Sequence, residues 1–218
     1  MSKKGPLLYV NEIFESIQGE STYAGIPCVF IRLTGCNLRC SYCDTTYAYD
    51  DGSAMSLNEI IKKVNGYGCR NVCITGGEPL LNEHINKLIK LLKNNLFKVF
   101  IETNGSQNID ILPKGIVRIV DIKCPGSGME QEMDWKNIKR LNRRDEVKFI
   151  ISSKRDYEWA KSITKKYKII DRTTVLFGLV LGKLKPKTLA GWILKDGLDV
   201  RLHLQLHKII WPDKARGV

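Results

Sequence analysis

The chain has 218 residues, 43% hydrophobic and 27% charged, a globular composition that excludes a disordered tail and suits one large domain. No apolar run is long enough to span a bilayer and no apolar signal core follows the first residues, so a cytoplasmic protein is expected. The net charge of +12 invites a nucleic-acid reading, yet residues 1–135 carry 14 basic and 15 acidic side chains, against 12 and 4 in residues 136–168.

In chain order, residues 8–17 form a candidate first strand. Further strands, rich in β-branched residues, are expected over 29–33, 72–75, 99–102, 117–121, 147–151, 174–180 and 200–206. Helices fall between them. Ser56 and Glu59 form a capping box that opens a helix running to about Asn65. Ile85, Leu88, Ile89 and Leu92 follow the spacing of a buried helix face. Further helices are expected over 134–141, 156–167 and 187–195. Strand-helix-strand units repeated in this way mean parallel strands joined by crossovers, either a doubly wound sheet or a partial barrel, in a single domain spanning 1–218. Functional groups then gather where the strands end.

All seven cysteines lie in the first 124 residues, and an odd, clustered set argues for thiolates used as ligands over a disulfide scaffold. Cys36, Cys40 and Cys43 follow the 29–33 strand, with three residues in the first gap and two in the second. Three soft thiolates suit an iron-sulfur cube, each taking one iron corner and leaving the fourth iron open. Zinc would need a fourth ligand, such as Cys28 or a histidine, and ranks behind the cluster. Cys69, Cys73 and Cys124 read as ordinary buried thiols. Thr75-Gly76-Gly77-Glu78-Pro79 closes the next strand. Its glycines allow close backbone approach to a ligand, and Glu78 offers an acceptor for an ammonium group, although alone the motif reads as a strand-to-helix turn.

This cysteine spacing, with Tyr42 just before the last cysteine and Gly-Gly-Glu-Pro one βα unit later, resembles the radical S-adenosylmethionine (SAM) enzymes. The resemblance implies a 4Fe-4S cluster on Cys36, Cys40 and Cys43 whose open iron chelates SAM and whose electron releases a 5′-deoxyadenosyl radical. The flanking segments 12–20, 25–27, 30–33, 43–45, 101–106 and 206–208 are similar to the 7-carboxy-7-deazaguanine synthase family, over nearly the whole chain. That likeness implies an α/β fold, a partial (β/α) barrel of about six parallel strands. It also implies conversion of 6-carboxy-5,6,7,8-tetrahydropterin to 7-carboxy-7-deazaguanine by radical ring contraction with loss of ammonia, in queuosine biosynthesis. Mg²⁺, a homodimer and a flavodoxin or ferredoxin-like electron donor come with it, with no nucleic-acid or membrane partner and no catalytic residue beyond the cluster and SAM.

By the same resemblance Tyr42, Cys43, Asp44, Gly77, Glu78, Asn104, Asp121, Ile122 and Lys123 contact SAM, and Thr45 holds Mg²⁺. Ile17, Gln18, Gly19, Arg32, Thr75 and His207 face the substrate. A guanidinium suits the substrate carboxylate, while an ion pair of Arg32 with Glu12 or Glu15 is an equal alternative. One hydroxyl at Thr45 leaves most of a six-oxygen shell to water and substrate, and a turn or cap role is the plainer reading. Over 201–207, Leu202, Leu204 and Leu206 share one face and Arg201, His203, Gln205 and His207 the other, so the polar face is expected to line a wet cavity. Three places depart from the family pattern: Ser21 in place of glycine, Gly178-Leu179 in place of a polar residue and proline, and six residues after Pro212. Two other readings stay open. One is another small radical SAM enzyme such as a glycyl-radical activase. The other is a zinc-dependent nucleic-acid-binding module, which would interleave Tyr157, Trp159 and Tyr167 with basic residues on an exposed face.

Overall fold

The computed structural model describes residues 5–214 and 216–218; residues 1–4, the start of the segment read for a signal core, lie outside them, as does Ala215. The elements in chain order are β1 (Leu7–Ile17), β2 (Pro27–Leu33), β3 (Ser53–Ser56), α1 (Leu57–Asn65), β4 (Asn71–Gly76), α2 (Ile85–Asn94), β5 (Lys98–Thr103) and β6 (Val117–Ile122). They continue with α3 (Asn137–Arg140), β7 (Glu146–Ile151), α4 (Lys154–Lys166), β8 (Thr174–Leu179), α5 (Pro186–Asp196), β9 (Arg201–Leu202) and α6 (Leu206–Ile210). All nine strands form one sheet in the order β3-β1-β2-β4-β5-β6-β7-β8-β9.

From β2 to β9 every neighbouring pair is parallel, while β1 runs antiparallel to β2 and β3. Each parallel strand is laid beside its predecessor with no reversal of order, so there is no switch point, and the doubly wound alternative gives way to the barrel type. The barrel is open. The loop leaving β1 nevertheless reaches β7 on the far side of the sheet, where Thr22 donates its backbone N–H to the Glu146 carboxylate at 3.1 Å.

Alternation along the strands separates two layers. Val29, Ile31 and Leu33, Val72 and Ile74, Val99 and Ile101, and Val147, Phe149 and Ile151 pack against Ile60, Val64, Leu88, Ile89, Leu92, Tyr157 and Ile163 of the helices. The other face holds Cys28, Phe30, Cys73, Phe100, Val117 and Ile119. Two residues further along, this inner face turns polar: Phe30 is followed by Arg32, Cys73 by Thr75, Phe100 by Glu102 and Ile119 by Asp121. A plug of apolar side chains thus closes the amino end, and a polar chamber opens at the carboxyl edge.

The capping box is present, with Glu59 N–H donating to Ser56 Oγ at 3.3 Å and Ser56 N–H donating to Glu59 Oε2 at 2.7 Å. Ser56→Ala is expected to cost about 1 kcal/mol, read as a lower urea midpoint at unchanged slope. An unmoved midpoint would show that the box contributes nothing.

Three expectations are corrected. The strand over 200–206 stops at Leu202, because Leu206 N–H leaves the sheet to donate to Gly19 O at 2.9 Å and the chain turns into α6. Leu202 and Leu204 are exposed, while His203 turns inward. The helix over 134–141 shrinks to α3, since Asn137 spends its side chain on Gly105 O and Gln107 O, at 3.0 and 2.8 Å. Edge strand β3 was not anticipated, as Ser53-Ala54-Met55 lacks an apolar alternation. The aromatics downstream pack inward: Trp135 stacks on Tyr167 with ring centres 5.0 Å apart, Trp159 meets Phe149 at 6.2 Å, and Tyr157 is fully buried.

Candidate active site

The cysteine loop leaves β2 at the carboxyl edge and is braced from both sides. On one side Gly77 N–H donates to Leu33 O at 3.0 Å and Glu78 N–H to Gly35 O at 2.7 Å. Gly76 has φ +130°, and a Cβ on Gly77 would lie 1.9 Å from Gly35 O. The glycines therefore let two loops of the protein pack together, a different use from the approach to a ligand expected above. On the other side Ser41 donates from its N–H to Ser127 O at 3.0 Å and from its hydroxyl to Gly126 O at 2.7 Å. That turn is held in place by Asp156, which accepts Gly126 N–H at 2.7 Å. Tyr42 anchors the loop from below through its hydroxyl on Ile150 O at 3.1 Å.

All three loop thiols are free and half-buried. Cys36 Sγ accepts Leu38 N–H at 3.4 Å and Asn104 Nδ2–H at 3.8 Å. Burial pushes the Cys40 thiol up, and nearby Cys43 and Cys36 add to it, so the three sulfurs sense one another; Lys123 pulls the other way. Among the described residues no group of three His, Cys, Asp or Glu side chains stands ready to hold a single metal ion. Three sulfurs with N–H donors to one of them suit a cluster, in which each thiolate takes a different iron. Cys28, Cys73 and Cys124 are fully buried, with thiols pushed up by burial. Cys69, expected as a buried thiol, is only half-buried, so brief alkylation of the cluster-free protein is expected to label Cys36, Cys40, Cys43 and Cys69 and to spare those three, read by peptide mass spectrometry. Rapid labelling of Cys124 would refute the placement.

Glu78 is fully buried, and all its described hydrogen bonds are internal. Its carboxylate accepts Leu80 N–H at 3.0 Å, the Thr103 hydroxyl at 2.8 Å and Asn104 N–H at 2.6 Å. Burial raises its pKa even so. In this arrangement it ties the end of β4 to the end of β5 and sets the Asn104 amide against Cys36. Asp121 pairs with Lys123 at 3.1 Å, and its Oδ1 is buried without a partner among the described residues. The Ile122 side chain lies in the helix-facing core, which leaves only its backbone on the chamber side.

On the substrate side, Gln18 is buried with its Nε2 unpartnered among the described residues, while its Oε1 accepts Glu20 N–H at 3.0 Å. Ile17 ends β1 half-buried. A Cβ on Gly19 would lie 2.1 Å from His207 Nδ1, so only glycine lets α6 seat here. Burial lowers the His207 pKa and keeps the imidazole neutral at pH 7. Arg32 Nε pairs with Glu12 at 2.7 Å, the alternative weighed above, and its guanidinium lies 5.7 Å from each of the Phe14 and Tyr47 rings. The Thr75 hydroxyl donates to Glu102 at 3.1 Å. Thr45 caps a short turn by position, with no side-chain cap bond, and its hydroxyl donates to Asp44 Oδ1 at 3.0 Å. Asp44 in turn pairs with Lys208 on α6, which outweighs burial and lowers its pKa.

Several chamber residues were not singled out from the sequence. Lys148 binds Glu20 and Glu102 holds Thr75, whereas Gln205, expected at the cavity wall, donates to Glu20 at 2.7 Å. The available signal was an ionisable residue inside an otherwise apolar strand, as in Val147-Lys148-Phe149. Two of the three departures also acquire reasons. Ser21 sits at φ 67°, the left-handed region that favours glycine, and its Oγ accepts Tyr23 N–H at 3.1 Å. A Cβ on Gly178 would meet Ile150 Cδ1 at 2.8 Å and His203 Cδ2 at 3.3 Å, so glycine makes room for the inward histidine.

The family model described as the radical SAM superfamily matches residues 30–186. The 7-carboxy-7-deazaguanine synthase of Chlorobaculum tepidum is 44% identical over 221 residues, covering 100% of both chains. That of Koribacter versatilis is 40% identical over 226 residues, covering 97% of this chain and 100% of the relative. The crystal structure of QueE from Escherichia coli matches the fold with a TM-score of 0.77 at 24% identity, covering 92% of this chain and 95% of that one.

Proposed function

Because the chain belongs to the radical SAM superfamily and, within it, to the 7-carboxy-7-deazaguanine synthase family, we propose that it contracts the ring of 6-carboxy-5,6,7,8-tetrahydropterin with loss of ammonia. The observation that carries this reading is the 44% identity along the full chain to a relative of that name. The glycyl-radical activase and zinc-module readings have no such support.

A reduced 4Fe-4S cluster with SAM supplies a carbon-centred radical able to abstract hydrogen from the substrate. The protein's part is to hold, orient and keep dry. Cys36, Cys40 and Cys43 would hold the cluster, with Asn104 fixed by Glu78 against the first of them. Asp121 and Lys123 would face SAM, while Glu78, whose described hydrogen bonds are all internal, would act through Asn104. Gln18 and Gly19 would present backbone and amide edges to the flat heterocycle. The neutral His207 would offer a hydrogen bond, and Arg32, turning from Glu12, a charge for the carboxylate. A Mg²⁺ ion would take one oxygen from Thr45 and the rest from water and substrate.

Two partners complete the proposal. An acidic flavodoxin or ferredoxin-like donor suits the basic segment 136–168. A homodimer suits the exposed Leu202, Leu204, Ile209 and Ile210. The test is anaerobic reconstitution followed by supply of carboxytetrahydropterin, SAM and a working reductant. 7-Carboxy-7-deazaguanine and ammonia are expected; deoxyadenosine without any deazaguanine would overturn the assignment.

A further inference from the structure

Strand β7 places two charged side chains, Glu146 and Lys148, on the inner face of the sheet, and both are buried. Burying an ammonium group is costly unless it is well paired, so an apolar residue would pack there more readily. Both side chains hold the same loop. The Glu146 carboxylate accepts the backbone N–H and hydroxyl of Thr22, and Lys148 Nζ donates to Glu20. Lys148 also faces the other way. It is the in-register neighbour of Asp121, whose Oδ2 lies 3.5 Å from Nζ and 3.1 Å from Lys123 Nζ. The remaining Glu20 oxygen accepts Gln205 Nε2 at 2.7 Å, and His203 Nε2 lies 3.6 Å from Glu20. One ammonium, with three N–H donors, therefore stands where loop 18–22, the end of β6 and segment 203–205 meet.

We propose that Lys148 is a positioning residue that joins the substrate-facing loop to the SAM-facing end of β6, so that SAM is cleaved only when substrate is correctly seated. This rests on the reading of residues 17–19 as substrate contacts and 121–123 as SAM contacts. Glu20 follows Gly19 directly, and Lys123 is two residues from Asp121, so a shift at the joint moves both contact sets relative to each other. Displacements of about 1 Å between reacting groups cost on the order of 10²-fold in rate.

The test compares Lys148→Met and Lys148→Arg with the unaltered enzyme. With cluster, SAM and pterin present, Lys148→Met is expected to lose about 10- to 100-fold in kcat/KM. Its ratio of deoxyadenosine to deazaguanine should rise at least about threefold, while Lys148→Arg stays within about twofold of the unaltered ratio. On the cluster-free protein, amide hydrogen exchange should quicken in 18–25 and 203–207 and stay unchanged in β4 and β5. Should Lys148→Met fail to fold, Glu20→Gln, which leaves the Lys148–Asp121 pair in place, is expected to raise the ratio in the same direction. An unchanged product ratio in a folded variant, or faster exchange spread through the whole sheet, would overturn the joint and leave Lys148 a general stabilising group. Failure of the unaltered enzyme to make any deazaguanine would instead overturn the functional reading itself.

Discussion

Cys40→Ala, made in the full chain and reconstituted anaerobically, is expected to leave a colourless protein with turnover reduced at least about 10³-fold, because the radical chemistry belongs to the cluster. Cys36→Ala and Cys43→Ala should behave alike, since each thiolate takes a different iron and none can substitute for another. The control is Cys124→Ala. That thiol is fully buried and packs in the helix-facing core, so its loss leaves a small cavity costing about 1 kcal/mol, with cluster colour and turnover retained. The two outcomes separate by cause: the loop variants fail without melting early, and the core variant melts early without failing. Iron and sulfide at full stoichiometry in Cys40→Ala would remove that cysteine from the ligand set. Bleaching in Cys124→Ala would mean that the loop depends on a core neighbour more than its two braces suggest.

The outer layer of the fold was open to reading because each strand carries its own evidence: Val29, Ile31 and Leu33 alternate with inward residues, and helices with apolar stripes lie between the strands to cover them. The cysteine loop was legible for the same reason, as its chemistry is written within eight consecutive residues. The chamber was not. Lys148 makes physical sense only beside Glu20, 128 residues earlier in the chain, and no local pattern announces such a pairing. Glu102 likewise looks like a strand-end charge until Thr75 is set beside it. The segment 200–206 misled because its alternation is real, with His203 inward and Leu204 outward, but the backbone's hydrogen bonds leave the sheet for Gly19. Arg32 lay between these cases: the sequence offered Glu12 as an equal claimant, and the ion pair at 2.7 Å shows where the guanidinium rests in this structure.

Gly77→Ala carries the largest expected effect on stability, for a reason that sequence alone assigned to a ligand. The added Cβ would lie 1.9 Å from Gly35 O, 2.4 Å from Gly35 C and 2.9 Å from Cys36 N. These are backbone atoms, so no side chain can swing away to relieve the overlap. One loop must move, and the movement breaks the bonds from Gly77 N–H to Leu33 O and from Glu78 N–H to Gly35 O, each worth about 1 kcal/mol. Adding the strain, the cost should reach about 2–4 kcal/mol, read as a lower thermal or urea midpoint. Because Gly35 and Cys36 are the atoms displaced, cluster loading should fall as well, even at temperatures where the variant stays folded. Gly191→Ala supplies the contrast: it lies within α5, and its new Cβ would meet nothing within 4 Å beyond the helix's own backbone, so alanine there should stabilise by about 0.5–1 kcal/mol. If Gly77→Ala melted with the unaltered protein and loaded its cluster fully, the glycine would not serve the contact between the loops. If instead it melted normally and loaded iron and sulfide but lost SAM binding, the ligand-facing reading of Gly77 would be the right one.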